Sequence, residues 1–388
     1  MNILMMLSNP FTHDPRVYNE ARSLVKAGYK VTVLAWDKEN KNPPIEVKDG
    51  INIVRSYNTE FMKLLPYDIF RMHFWWCKGY RDAIELHKKI HFDVIHCHDL
   101  DTLPIGVKLK KKFGLSLIYD AHEIWGYMVA KDLPKCWANY YLWKEKRLIP
   151  YTDGFIIAED RYADYFNSFN NKKLTPILNC KHLISKEYIP PDNKRIFTLL
   201  YIGRLSSPRF LLELTEAVKG LEGVKCIIGG IGKPEYVGML KQKCDEAGNI
   251  DFIGKVPPEK VISMTQKSDA VVCMINPNVI NNKIATANKQ FEAMVCGRPI
   301  ICTKGTRSGE ITEQEKCGLV VNYTKEALKD AIIKLRNSPK LCEELGRNAL
   351  KAAINKYNWE IEEKKLQKLY EKLMEKSKDK LIFKRGQV

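Results

Sequence analysis

The groups in this chain whose types and spacing could do chemistry are a glutamate within a short helix, two arginines behind a glycine, and three clusters of histidine with acid. Residues 286–303 read TANKQFEAMVCGRPIICT. Phe291, Met294 and Val295 fall at i, i+3 and i+4, the spacing of one buried helical face. Thr286 is placed to cap that helix, Gly297 to end it, and Pro299 to lead into a buried strand. Glu292 then lies beside the buried face. A carboxylate there can accept hydrogen bonds from the vicinal hydroxyls of a ribose; a solvent-facing glutamate on an amphipathic helix is the other reading. Residues 201–214 read YIGRLSSPRFLLEL. Gly203 ends a strand and permits close backbone approach, and the guanidinium forks of Arg204 and Arg209 match phosphate oxygens.

Other chemistry-bearing residues also follow apolar runs. Gly230-Ile-Gly232 comes after a strand-like stretch and reads either as a close-approach loop or as a tight turn. Ile253-Gly254 ends another strand, and KGTRSGE over 304–310, which ends in Glu310, reads as a loop leading into a helix. In the first half, Phe11-Thr-His13-Asp-Pro-Arg16, His96-Cys-His98-Asp99 and Tyr119-Asp120-Ala-His122-Glu123 each gather imidazole, acid or guanidinium near a strand end. Several titratable groups at strand ends point to a site more than a lone histidine would. Asp99-Leu-Asp101 spells an acidic triplet of the kind that holds a divalent metal, but arginines neutralise a diphosphate equally well, and no metal site is expected.

The elements that must position these groups alternate between strand and helix along the whole chain, the mark of parallel α/β architecture. Strands are expected at 3–7, 31–34, 51–54, 94–97, 117–119 and 155–158, with a helix over Pro15–Lys26. A polar stretch at 190–195, PPDNKR, reads as a linker. The alternation restarts at 197–202 and continues through 226–228, 252–253, 270–274 and 299–302. Two wound sheets imply two Rossmann-like domains, 1–190 and 195–358, with ligands bound beyond the carboxyl ends of the strands.

Bulk properties narrow the function classes. A length of 388 residues suits two cores. Eleven cysteines are scattered without a CxxC pair, which argues against a zinc or disulfide framework and fits a reducing cytoplasm. No apolar run is long enough to span a bilayer. The formal net charge of +17 raises nucleic acid, anionic membrane and phosphorylated substrates as partners. The basic residues are interleaved with acids, as on solvated helix faces, and form no single-sign stripe, so a nucleic-acid-binding module is the disfavoured reading. Residues 61–81 mix aromatic with basic side chains, as a helix packed on the sheet or an interfacial helix at a membrane surface would.

The segment EAMVCGRPI from Glu292 resembles the nucleotide-binding motif of family 4 retaining glycosyltransferases, in which a second Glu precedes an "AMxxGxPVI" turn. Ile284 stands where that family carries its first Glu, while Asn288 and Lys289 resemble a branch with "PNKxFE". Arg204 and Arg209 match the Arg and Lys of "GRLxxxKG", Gly230 and Gly232 match "GxGP", and residues 304–310 resemble "GGxxE". The first-half clusters resemble a subgroup with "DPRVxxEAxxL", "HxHD" and "YDxHE". The resemblance implies the GT-B fold, two Rossmann-like domains facing each other across a cleft, with the last helix (359–376) crossing back to the first. It implies transfer of a sugar, with retention and without metal or cofactor, from a nucleotide-diphosphate donor to a glycan or lipid-linked acceptor. Arg204 and Arg209 would stabilise the leaving diphosphate. Glu292, Glu310, Gly203, Gly230, Gly232, Ile253, Asn288 and Lys289 would contact the donor. His122 would face the reacting sugar or acceptor, with Arg16, His98 and Asp99 lining that side and Arg16 or His13 offering the phosphate a surface. Glu292, Arg204 and His122 are expected to share one pocket. A nucleotide-sugar epimerase of the same fold is the alternative within enzymes.

Overall fold

The computed structural model describes residues 1–66, 68–130, 133–170, 172–191 and 196–385, with side chains to 375. It divides into two compact units, one of Met1–Leu178 with the chain from Glu363 onward, the other of Asn179–Glu362. The first unit is built on strands β1 (Asn2–Leu7), β2 (Lys30–Asp37), β3 (Ile45–Lys48), β4 (Ile51–Tyr57), β5 (Val94–His98), β6 (Ser116–Ala121), β7 (Gly154–Ile157) and β8 (Leu174–Pro176). The second is built on β9 (Phe197–Leu205), β10 (Val224–Gly232), β11 (Ile250–Gly254), β12 (Ala270–Cys273), β13 (Ile300–Thr303) and β14 (Gly318–Val321).

The sheet orders are β3-β4-β2-β1-β5-β6-β7-β8 and β11-β10-β9-β12-β13-β14. Every pairing is parallel except β3 with β4. Parallel strands need covering helices on both faces, which is why their sequences are near-continuous apolar runs. β1, β2 and β5 are buried along almost their whole lengths. The strand order reverses between β1 and β5 in the first sheet and between β9 and β12 in the second. At such switch points the flanking loops diverge and leave a crevice beyond the strands' carboxyl ends. Residues singled out in the sequence lie at or just beyond the carboxyl ends of β1, β5 and β9, with Gly203 and Arg204 within the last residues of β9 rather than after it.

Three strands escaped the periodicity reading. β3 is an edge strand with Ile45 and Val47 exposed, β8 has only three residues, and β14 is half-buried throughout, so none gives a buried apolar run. The domain boundary also lies elsewhere than at 190–195. Residues 192–195 of the expected linker lie outside the described residues. Residues 179–190 belong to the second unit because their backbone is tied there: Arg298 donates to the Ile189 carbonyl (2.8 Å), and Lys181 O accepts from Trp359 N (3.0 Å). In the final helix, Trp359–Arg385, the first turn groups with the second unit and the rest with the first. There Tyr370 OH bonds His96 Nδ1 (2.8 Å), and Glu363 accepts from Ser23 (2.8 Å).

The two glycines of Gly230-Ile-Gly232 do not form a turn. They extend β10 in register with Gly203–Leu205 of β9. A Cβ on Gly230 would stand 1.7 Å from the Gly203 carbonyl oxygen, and one on Gly232 2.2 Å from that of Leu205. The obstacles are backbone atoms, which cannot rotate away. Gly230→Ala is therefore expected to lower stability by about 1–3 kcal/mol in denaturant unfolding. Gly238→Ala, in the open interior of helix Pro234–Ala247, is expected to raise it by about 0.5–1 kcal/mol. Equal midpoints for the two variants would contradict this reading.

Candidate active site

In the second unit a cavity of about 940 Å³ opens beyond β9 and β10, lined among others by Gly203, Arg204, Ser206, Gly230, Lys233 and Tyr236. Gly232 also lines it. Arg204 is exposed at this cavity. Arg209 follows on a single 3-10 turn (Ser207–Arg209), and the helix proper begins at Leu211 after Phe210 takes a left-handed φ of 59°. Ile253 lies on β11 against Gly229 and is 40% exposed; its neighbour in sequence Val256 lines the cavity.

The helix carrying Glu292 spans Asn288–Val295 and is capped by Ala287 rather than Thr286, with the Ala287 amide donating to Ser308 Oγ (3.1 Å). Asn288 is exposed at its start, and Glu292 is half-buried with Lys181 3.5 Å away. Lys289 is buried, its ammonium 3.6 Å over the ring of Tyr201. Burial works against its charge and Arg209 adds to the effect, bringing its pKa down to about 8 despite Cys273 and Glu292. Glu310 sits inside helix Arg307–Glu315, not in a loop, and pairs with Arg307 at 3.0 Å. Thr306 caps that helix by accepting from Gly309 N (3.1 Å).

In the first unit the residues around β1, β5 and β6 converge on the carboxylate of Asp120. Arg16 grips it with two hydrogen bonds (NH2–Oδ1 2.6 Å, Nε–Oδ2 3.0 Å), His122 Nε2 lies 2.8 Å from Oδ2, and His98 Nδ1 3.1 Å. On the other side of His122, Nδ1 faces Asp99 Oδ2 at 3.3 Å, and its backbone amide donates to Asp99 Oδ1 at 3.0 Å. Asp99 reaches this position from a left-handed backbone, φ 61°. Burial opposes the charge on Asp120, but Arg16 and His122 outweigh it and hold the carboxyl well below its usual range. Burial likewise opposes the charge on His122, yet Asp99 and Asp120 prevail and hold its pKa up to about 10. Burial pushes Glu20, beside Arg16, upward and His98 downward.

Sequence reasoning gave Arg16 a phosphate to bind. Its guanidinium is buried, spans Asp120 and Glu20, and also donates to the Ile177 carbonyl (2.8 Å), so it holds the cluster together. His98 is likewise fully buried rather than lining a surface, whereas His122 keeps 17% of its side chain exposed and His13 is exposed. Glu20, His96, His98 and Asp120 bring their ligand atoms within 4.8 Å of one another. Arg16 and His122 already neutralise the carboxylates of that group, so it fits a self-balanced ion cluster better than a cation site. Glu20 and His96 lie within the DPRVxxEAxxL and HxHD segments, but nothing in the pattern shows that both turn into this buried cluster.

A sequence model described as Glycosyltransferase Family 4 matches residues 16–180, and one described as Glycosyl transferases group 1 matches residues 184–352. Together they cover most of both units. The chain is a family 4 glycosyltransferase with the GT-B fold. An uncharacterized glycosyltransferase of Methanocaldococcus jannaschii is 23% identical, aligned over 92% of this chain and 93% of that protein. The D-inositol 3-phosphate glycosyltransferase of Mycobacterium marinum is 22% identical over 74% of this chain and 64% of its own. Among solved structures, the sucrose-phosphate synthase of Thermosynechococcus elongatus superimposes with a TM-score of 0.78 at 17% identity, covering 96% of this chain and 99% of that one. Anabaena HepE in complex with UDP superimposes with a TM-score of 0.72 at 15% identity over 96% and 100%.

In this glycosyltransferase the charged state of His122 has a measurable consequence. A histidine whose folded pKa exceeds its unfolded value stabilises the fold below about pH 6.5, and that contribution is lost as pH rises through about 10. The melting temperature of the wild type should therefore exceed that of His122→Gln at pH 7, with the gap closing toward pH 10. A gap that is constant with pH would show that the ring is neutral.

Proposed function

We propose that the enzyme transfers a sugar, with retention and without a metal ion, from a nucleoside-diphosphate sugar bound in the second unit to a glycan or lipid-linked hydroxyl. The observation that carries this reading is the cavity at the β9 switch point, lined by Gly203, Gly230 and Arg204. Glu292 supplies the ribose contact from the adjoining helix. The solved structure of HepE with UDP-glucose supports a nucleotide-sugar donor for this fold. Arg204 and Arg209 offset the charge that grows on the departing diphosphate; one such preorganised donor is worth about 10²–10³ in turnover.

The chemistry of the first unit favours the departing group as the base. His122, already protonated, cannot accept the proton of an attacking hydroxyl near neutral pH. The bond from the acceptor oxygen to the sugar carbon forms as the bond from that carbon to the phosphate oxygen breaks, and the phosphate oxygen takes the proton. Arg204→Ala should lower turnover about 100-fold or more without moving the melting temperature, and Glu292→Ala should weaken donor binding about tenfold in calorimetry. Unchanged transfer by the first variant would remove the phosphate role. Donor isomerised without any acceptor would mark an epimerase.

The acceptor reading extends to the surface of the first unit, and a cytoplasmic location at a membrane face suits it. No helix among the described residues is long and apolar enough to cross a membrane. Helix Asp68–Ile90 buries Met72, Trp75 and Trp76 on one side, yet Phe70 and Phe74 are 42% and 45% exposed on the other. Phe61 packs on Phe74 (ring centroids 5.0 Å apart), and Leu64 beside it is 82% exposed. Helix Lys135–Leu148 adds an exposed Trp143, with Arg147 4.9 Å over its ring, and Lys144 3.4 Å over Trp76. Aromatic side chains ringed by cations are what an anionic lipid surface retains. The protein is expected to sediment with phosphatidylglycerol vesicles in preference to phosphatidylcholine, and Leu64→Ser/Phe74→Ser to lose that preference. Equal partition of the wild type into both would refute the contact.

A further inference from the structure

Lys289 is a buried cation of the second unit. It is 7% exposed, and its ammonium forms no hydrogen bond or ion pair among the described residues. Burying an ammonium without a counter-charge costs several kcal/mol. Its place in the helix adds to that cost. The first turn of Asn288–Val295 contains no acidic residue, and Lys289 sits there against the positive end of the helix dipole. The charged groups that face it are Arg209, which repels it, and Cys273 and Glu292, which attract it, with Cys302 beyond. Glu292 has Lys181 beside it at 3.5 Å, and Cys273, its pKa brought down to about 7 chiefly by its hydrogen bond to Cys302, offsets part of the Lys289 charge above that pH.

What the fold does provide is a posture. The Tyr201 ring lies 3.6 Å below the ammonium, and the Tyr201 hydroxyl donates to the Arg204 carbonyl at 2.7 Å, which fixes the ring. Above it stands Gly203, where a Cβ would come within 3.2 Å of Nζ. The missing side chain at Gly203 is thus what leaves the ammonium room at the wall of the cavity that Gly203 and Arg204 line. A cation–π contact holds a charge in place without neutralising it. Arg209 thus repels Lys289, whose ammonium has no carboxylate bonded to it among the described residues. A group carrying two negative charges would complete the arrangement.

We infer that Lys289 is a buried counter-charge for the donor's diphosphate, held ready by Tyr201 and Gly203, and that nucleotide binding fixes its proton. This deepens the donor reading above and rests on it. Free, the ammonium loses its proton near pH 8; beside a diphosphate it keeps it to higher pH. Affinity should then fall as pH rises above 8, and binding at pH 9 should take up close to one proton. Cys273 also faces this spot, and its thiol is held low by the Cys302 hydrogen bond, with Lys289 and Arg209 helping against burial. A Cys273→Ala variant separates its share.

The experiment is calorimetric titration of the whole protein with UDP, GDP and ADP, and with inorganic pyrophosphate as competitor, from pH 7 to 10 in buffers of different ionisation enthalpy. Proton uptake at pH 9 is expected in the wild type and in Cys273→Ala, and none in Lys289→Met. Lys289→Met should bind the nucleotide about tenfold or more weakly at pH 7, while melting at a higher temperature in the free state because an unpaired buried charge is gone. Lys289→Arg keeps its charge at every pH, so its affinity should stay level where that of the wild type falls. Unchanged affinity and uptake in Lys289→Met overturn the inference. If Arg204→Ala still abolishes nucleotide binding in that case, the donor reading stands without it; if Arg204→Ala also binds normally, the donor reading falls as well.

Discussion

A carboxylate placed at the buried end of a parallel strand can stay charged only if cations reach it, and the first unit is organised around that demand. Asp120, next to the last residue of β6, is fully buried. Arg16 comes as a cation from the helix after β1 and His122 from the loop after β6, while His98 on β5 meets the carboxylate as a neutral ring. Each therefore pins one loop of the switch point to its neighbour. Asp99 closes the set by holding the far side of His122, and its left-handed backbone is the conformation that turns the carboxylate inward. The position of every group in the cluster follows from the need to neutralise one ion.

The second unit has the opposite imbalance. Its switch point gathers Arg204, Arg209 and Lys289, while its carboxylates Glu292 and Glu310 lie beside Lys181 and Arg307. The Asp120 cluster of the first unit balances its own charges, whereas the switch point of the second gathers an excess of positive ones, so a dianionic donor has an electrostatic reason to bind there. The glycines serve the same end. Gly230 stands where a Cβ would strike the Gly203 carbonyl of the neighbouring strand, and both glycines line the cavity.

Much of this could be read from the residues. The alternation of apolar runs and amphipathic helices gave the two sheets, because parallel strands covered on both faces must be apolar throughout. The helix over Pro15–Lys26 was bounded correctly by its proline and the glycine after it. The candidates Gly203, Arg204, Gly230 and Gly232 do line one cavity. Edge strands were missed where burial is partial, and the linker was put too late because residues 179–190 attach through backbone bonds to Arg298 and Trp359, which leave no trace in composition.

The sequence by itself determined the architecture, the family motifs and which residues are able to carry charge or bind phosphate, since these depend on periodicity and residue type. It did not determine what each charge is for. Arg16 and Arg204 are the same residue type near strand ends, yet one is spent on Asp120 and the other is open to solvent. His98 and His122 lie in look-alike clusters, yet burial leaves the first neutral while two carboxylates keep the second protonated. Only the tertiary structure decides such cases, because the state of an ionisable group depends on the water it loses and the charges brought beside it from distant parts of the chain.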